Sequence, residues 1–129
     1  MRSVHPAPAS FNTVVERCYA TAYRALEEGD AHRAMKLFGI MAVLAPRDER
    51  AWIGLGTSNE KIGNHERAAG VYHIGASMTG GSGWCEFGRG RALKRLRLAK
   101  HAARAFAHAE SLTDDPSLLD AIEQERSEP

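Results

Sequence analysis

The chain has 129 residues, 43% of them hydrophobic and 26% charged, with a formal net charge of +1. That length suits one domain, and the near-neutral balance argues against a molecule built as a whole to seek nucleic acid or an acidic membrane. Two cysteines, Cys18 and Cys85, make neither a disulfide framework nor a zinc ribbon, and they read as reduced thiols of a cytoplasmic protein.

In chain order, residues 1–14 form an N-terminal segment, partly disordered, with Pro6 and Pro8 and no apolar run, so no secretory signal is expected. No stretch of about 18 apolar residues follows, so no membrane insertion is expected. A first helix is predicted over about 10–28, ended by Gly29, because glycine accepts the left-handed conformation at a helix end. Asp30 can cap the next helix, about 31–44, and Pro46 closes that unit. Helices at about 49–62 and 65–78 follow, divided by Gly63 and Asn64 in the same roles, and Gly80-Gly81-Ser82-Gly83 loosens the chain after them. A third pair, about 84–96 and 99–112, has Arg97 in place of the glycine and Leu98 in place of the cap. One continuous helix through 84–112 is the alternative there. A short helix at about 117–126, begun by Pro116, offers Leu118, Leu119 and Ile122 as a cap for the stack.

These units repeat every 34 residues. Ala34, Ala68 and Ala102 form one column, Phe38, Tyr72 and Phe106 a second, and Met41, Gly75 and Ala109 a third. A small residue lets the two helices of a hairpin cross closely, and an aromatic one turn later covers the seam and buries about 1.5–3 kcal/mol of transfer energy. The fold class is therefore all-α: a tetratricopeptide-repeat superhelix of three helical hairpins (15–48, 49–82 and 83–116) plus a short C-terminal capping helix and tail (117–129). In such a stack the first helix of each hairpin lines the concave side. Tyr19, Tyr23 and Leu26 share one face of the first helix, with Ile53 and Thr57, then Phe87 and Arg91, on the matching faces of the next two units.

The segment from Cys18 to Gly29 (CYATAYRALEEG), with Ala34, Phe38 and Leu44 behind it, resembles the first repeat of the type III secretion chaperones that serve translocators (class II, SycD-like). Arg50-Ala51-Trp52-Ile53-Gly54-Leu55-Gly56 resembles the second repeat, and Tyr72-His73-Ile74-Gly75-Ala76 continues the likeness, which covers about residues 15–113. The resemblance implies a cytoplasmic chaperone that keeps a secreted translocator or effector polypeptide soluble by holding an extended segment in its concave groove. It implies groove residues of similar type at Tyr19, Tyr23, Leu26, Ile53 and Phe87. With Arg50, Thr57, Arg91 and Lys94 these make the candidate peptide-binding set. The short N-terminus departs from the family's longer helical extension and leaves homodimerisation open. A general tetratricopeptide scaffold or assembly factor, or a needle-subunit chaperone, are the alternatives.

Other signals are weaker. Arg89, Arg91, Lys94, Arg95, Arg97, Lys100 and Arg104 form a basic stretch, read either as balanced by the acidic tail (Asp114, Asp115, Asp120, Glu123, Glu125, Glu128) or as meeting acidic residues of a client. No aromatic interleaving points it to nucleic acid. His101 and His108 share a helix face without a third ligand, so no metal is expected. Gly54-Leu55-Gly56 and Gly88-Arg89-Gly90 follow no strand and lack a phosphate loop's lysine, and read as close helix approaches. Cys85 is expected partly exposed beside Trp84. No cofactor and no catalytic constellation are expected.

Overall fold

The computed structural model describes residues 10–129; the first nine residues of the expected N-terminal segment lie outside them. Seven helices follow in order: α1 (Phe11–Glu27), α2 (Ala31–Leu44), α3 (Glu49–Ile62), α4 (His65–Met78), α5 (Gly83–Arg95), α6 (Ala99–Ser111) and α7 (Pro116–Ser127). Side-chain caps start most of them. Ser10 accepts from the Thr13 amide, Asp30 from Arg33, Asp48 from Arg50, Asn64 from Arg67, Ser82 from Cys85 and Asp115 from Ser117. Each cap satisfies an amide that the first helical turn leaves without a partner.

The three hairpin turns are built alike. Gly29 (φ 80°) and Gly63 (φ 91°) take the left-handed conformation, and so does Arg97 (φ 63°). In each turn the next residue's amide reaches back to close the helix: Asp30 to the Ala25 carbonyl (2.8 Å), Asn64 to Asn59 (2.9 Å) and Leu98 to Leu93 (3.0 Å). The third hairpin is therefore broken, and the continuous helix through 84–112 is overturned. Packing decides it, because Ala102, Ala105, Phe106 and Ala109 bury against α5 and α7 only if the chain turns back. The local cost remains, since a side chain at positive φ is strained and Leu98 gives α6 no side-chain cap. Replacing both residues with the types the other turns use, Arg97→Gly with Leu98→Asp, should raise stability by about 1–2 kcal/mol. A rise in melting temperature of roughly 3–8 °C would report it.

Within and between hairpins the aromatic column meets glycines of α3 and α5. An ideal Cβ on Gly54 would lie 2.3 Å from the Phe38 ring, and one on Gly90 would lie 2.6 Å from Phe106. Tyr72 is held on both sides, with a Cβ on Gly56 at 2.4 Å and one on Gly88 at 2.5 Å. The two Gly-x-Gly pairs are thus the seats of the rings, 34 residues apart like the rings themselves. Ala34, Ala68 and Ala102 lie buried at the helix crossings.

Helix α1 touches α3, and α3 touches α5, whereas α2, α4 and α6 do not touch one another. First helices therefore line the inner side of the curve and second helices the outer side. Helix α7 packs on α5 and α6 through Leu118 and Ile122, both buried. Cys85 is fully buried, not partly exposed, and burial pushes its thiol up to about 11. No helix among the described residues is long and apolar enough to cross a membrane.

Candidate peptide-binding groove

The inner helices open a pocket of about 270 Å³ between the first and second hairpins. Its walls are Tyr19, Tyr23 and Leu26 from α1 with Arg50, Ile53 and Thr57 from α3. Spacing explains the convergence, because positions 19, 23 and 26 share one helical face, as do 53 and 57, and the two parallel inner helices turn those faces the same way. Phe38 and Gly54 form the floor. Phe38 belongs to the aromatic column, where sequence reasoning gives it only a packing role. The glycine at position 54 is what admits its ring beneath the groove, where Phe38 is buried.

Arg50 fixes the rim. Its guanidinium lies 4.4 Å from the centre of the Tyr19 ring, close enough for a cation–π contact. It also donates to Glu16 (2.7 and 3.1 Å) and to Asp48 (3.0 and 2.7 Å), which ties α1 to the start of α3. Hydrogen bonds from Arg50 hold the Asp48 and Glu16 carboxyls below their usual range. A depressed carboxyl stabilises the fold above its unfolded-state value, about 4, and that contribution is lost as pH falls through the folded-state value. Arg50→Ala should therefore flatten the loss of stability below about pH 4. Urea midpoints measured between about pH 3 and 6 check this, and an unchanged slope contradicts it.

Tyr19 sits 5.9 Å from Tyr23 and 6.2 Å from Phe38, centre to centre, so the aromatic wall is continuous from floor to rim. Tyr23 is 49% exposed at the mouth. The Thr57 hydroxyl lies 3.1 Å from the Tyr72 hydroxyl beneath it.

Phe87, Arg91 and Lys94 lie outside this pocket. The expectation that Phe87 offers its ring as a third open step of the stripe is corrected, since it is 5% exposed. Trp84 and Phe106 pack on it at 5.9 and 6.0 Å, and Arg91, one turn later on the same helix, lays its guanidinium 5.1 Å from the ring centre. In the first hairpin the covering arginine comes from the next hairpin and leaves the Tyr19 edge free. In the third it folds back from α5 itself. Arg91 also pairs with Glu60 (2.9 and 3.1 Å) and donates to the Tyr72 hydroxyl (3.2 Å). Burial works against the Arg91 charge, and Glu60 more than offsets it. The Tyr72 phenol is pushed well above its usual range by burial and by Glu60, so it acts as a neutral hydroxyl. Lys94 donates to the Glu125 backbone carbonyl and lies 3.5 Å from its carboxylate, which pins α7 to α5. Among the described residues no group of His, Cys, Asp and Glu is placed to hold a metal ion.

No protein-family model matches the chain, and no curated protein matches it either. Solved structures do. The translocator chaperone SycD of Yersinia enterocolitica superposes with a TM-score of 0.81 at 24% identity, over 92% of this chain and 88% of that one. SycD in complex with a peptide of the translocator YopD gives 0.76 at 22%, over 95% and 100%. PcrH of Pseudomonas aeruginosa in complex with the chaperone binding region of PopB gives 0.79 at 24%, over 91% and 94%. The three-hairpin superhelix with its C-terminal cap is thus the fold of the type III secretion translocator chaperones.

Proposed function

We propose that this chain is a type III secretion chaperone that holds an extended segment of a hydrophobic translocator in its concave groove and keeps it soluble for export. The observation that carries the reading is the open apolar pocket on the inner face, walled by Tyr19, Tyr23, Leu26 and Ile53 and floored by Phe38. Apolar surface left open on a small domain is costly unless something covers it, and amphipathic rings suit a surface that is wet in one state and covered in another. A shared fold and the solved complexes of SycD with a YopD peptide and of PcrH with a PopB segment support the same reading.

On this reading the repeats 15–48 and 49–82 supply the anchor pocket, with Arg50 and Thr57 as its polar contacts. The repeat 83–116, closed by 117–129, supplies a firm wall through Phe87, Arg91 and Lys94. The protein acts in the cytoplasm, by binding and without catalysis or a cofactor. Co-expression with a translocator of the same genome tests the proposal. The translocator should remain in the soluble fraction and co-elute with this chain. A translocator that aggregates equally with and without it, while the chain captures a folded regulator, would instead favour a general tetratricopeptide scaffold.

A further inference from the structure

We propose that the Thr57 hydroxyl is the specificity contact of the groove pocket, donating a hydrogen bond to a backbone carbonyl of the client beside its apolar anchor. The inference rests on the chaperone reading and adds the polar group by which the pocket recognises its guest. Arg50, the other polar residue of the walls, turns its donors to Glu16 and Asp48.

The direction of the bond follows from the partners beneath it. Glu60 accepts from Nε and Nη2 of Arg91 (2.9 and 3.1 Å), and Nη2 also lies 3.2 Å from the Tyr72 hydroxyl. A guanidinium only donates, so the phenol oxygen is an acceptor there. The phenol keeps one proton of its own, held by burial and by Glu60. Among the described residues the acceptor within hydrogen-bond distance of that proton is the Thr57 oxygen, at 3.1 Å. The opposite polarity, with Thr57 donating to Tyr72, would strand the phenol proton on a side chain that is 1% exposed. Folded proteins avoid a buried donor without a partner.

The Thr57 proton is thereby left over. Helix hydroxyls often return theirs to the carbonyl one turn back, as Thr21 does to Arg17 (2.9 Å), Ser58 to Gly54 (2.7 Å) and Thr79 to Gly75 (2.7 Å). Thr57 bonds only to the Tyr72 hydroxyl among the described residues, and it lines the pocket. A spare donor in an apolar wall is matched by an acceptor that enters with the ligand. An extended segment brings carbonyls free of internal bonds, whereas a helix has turned its carbonyls to its own amides. The contact therefore selects for an extended guest as well as an apolar one.

The test titrates synthetic peptides of the translocator segment retained in co-expression, by calorimetry. Thr57→Val should weaken binding by about three- to tenfold. Thr57→Ser, which restores the hydroxyl, should recover affinity to within about twofold of the parent. Single thioamides along the peptide weaken one carbonyl at a time as an acceptor. At one position the thioamide should weaken binding to the parent by about threefold and leave binding to the Thr57→Val variant unchanged. Tyr72→Phe, which frees the Thr57 proton to turn, should shrink that coupling. Thermal melts monitor folding, and Thr57→Val with Tyr72→Phe, which removes the buried proton together with its acceptor, serves if the single variant melts early. Thr57→Val that binds like the parent, a loss that couples to no carbonyl, or a coupling that Tyr72→Phe leaves unchanged overturns the proposal. Lost binding in Tyr23→Ala with Ile53→Ala then leaves the groove reading standing, and full binding in that control ends both.

Discussion

Gly88→Ala should destabilise the protein by about 2 kcal/mol or more, although alanine is the better helix former by about 1 kcal/mol. The added methyl would lie 2.5 Å from the Tyr72 ring, and that ring has nowhere to go. Its other face rests on Gly56, and its hydroxyl is held by Thr57 and Arg91. Relief therefore requires the second and third hairpins to part, which loosens the stack along its length. Gly70→Ala provides the contrast. Nothing lies within 4 Å of a Cβ there, so helix propensity acts alone. That change should stabilise by about 0.5–1 kcal/mol. Melting temperatures that fall for the first variant and rise for the second would show that ring seats, not glycine in general, shape the superhelix.

Phe87→Ala should be a stability mutation, costing about 3–4 kcal/mol. The ring is buried between Trp84, Phe106 and the Arg91 guanidinium, and its loss would leave a cavity and strip the stacked charge of its support. Tyr23→Ala should cost under about 1 kcal/mol, since half of that side chain already meets water. Denaturant midpoints separate the two. If both variants melted alike, the division of the stripe into an open first step and a closed third one would be wrong.

The comparison shows what periodicity can and cannot disclose. Residues 34 apart share an environment when the backbone repeats, so the hairpins, the alanine crossings and the buried aromatic column follow from Ala34, Phe38 and their counterparts. Arg97 marks one limit. Local preference favours an unbroken helix there, yet the apolar face of α6 can be buried only across a turn, and tertiary packing wins over about 1–2 kcal/mol of backbone strain. Phe87 marks another. Its position in the repeat matches Tyr19 and Ile53, and periodicity names the face to which it belongs. Whether a neighbour covers that face depends on where a long side chain lies, and the Arg91 side chain can turn to the groove or to the core. Glu60, a residue with no counterpart at positions 26 and 94, settles that choice by drawing the guanidinium inward. Lys94 follows the same rule, held by the backbone and carboxylate of Glu125 on a helix whose place no repeat spacing specifies. Arg50 was legible as part of a motif, while its grip on Glu16 and Asp48 needs two hairpins brought together.

The most direct measurement compares the chain with its Tyr23→Ala/Ile53→Ala variant in a calorimetric titration with the translocator segment retained in co-expression. Affinity should fall by on the order of a hundredfold, with the melting temperature nearly unchanged. A variant that binds the segment as tightly as the parent would contradict the groove account.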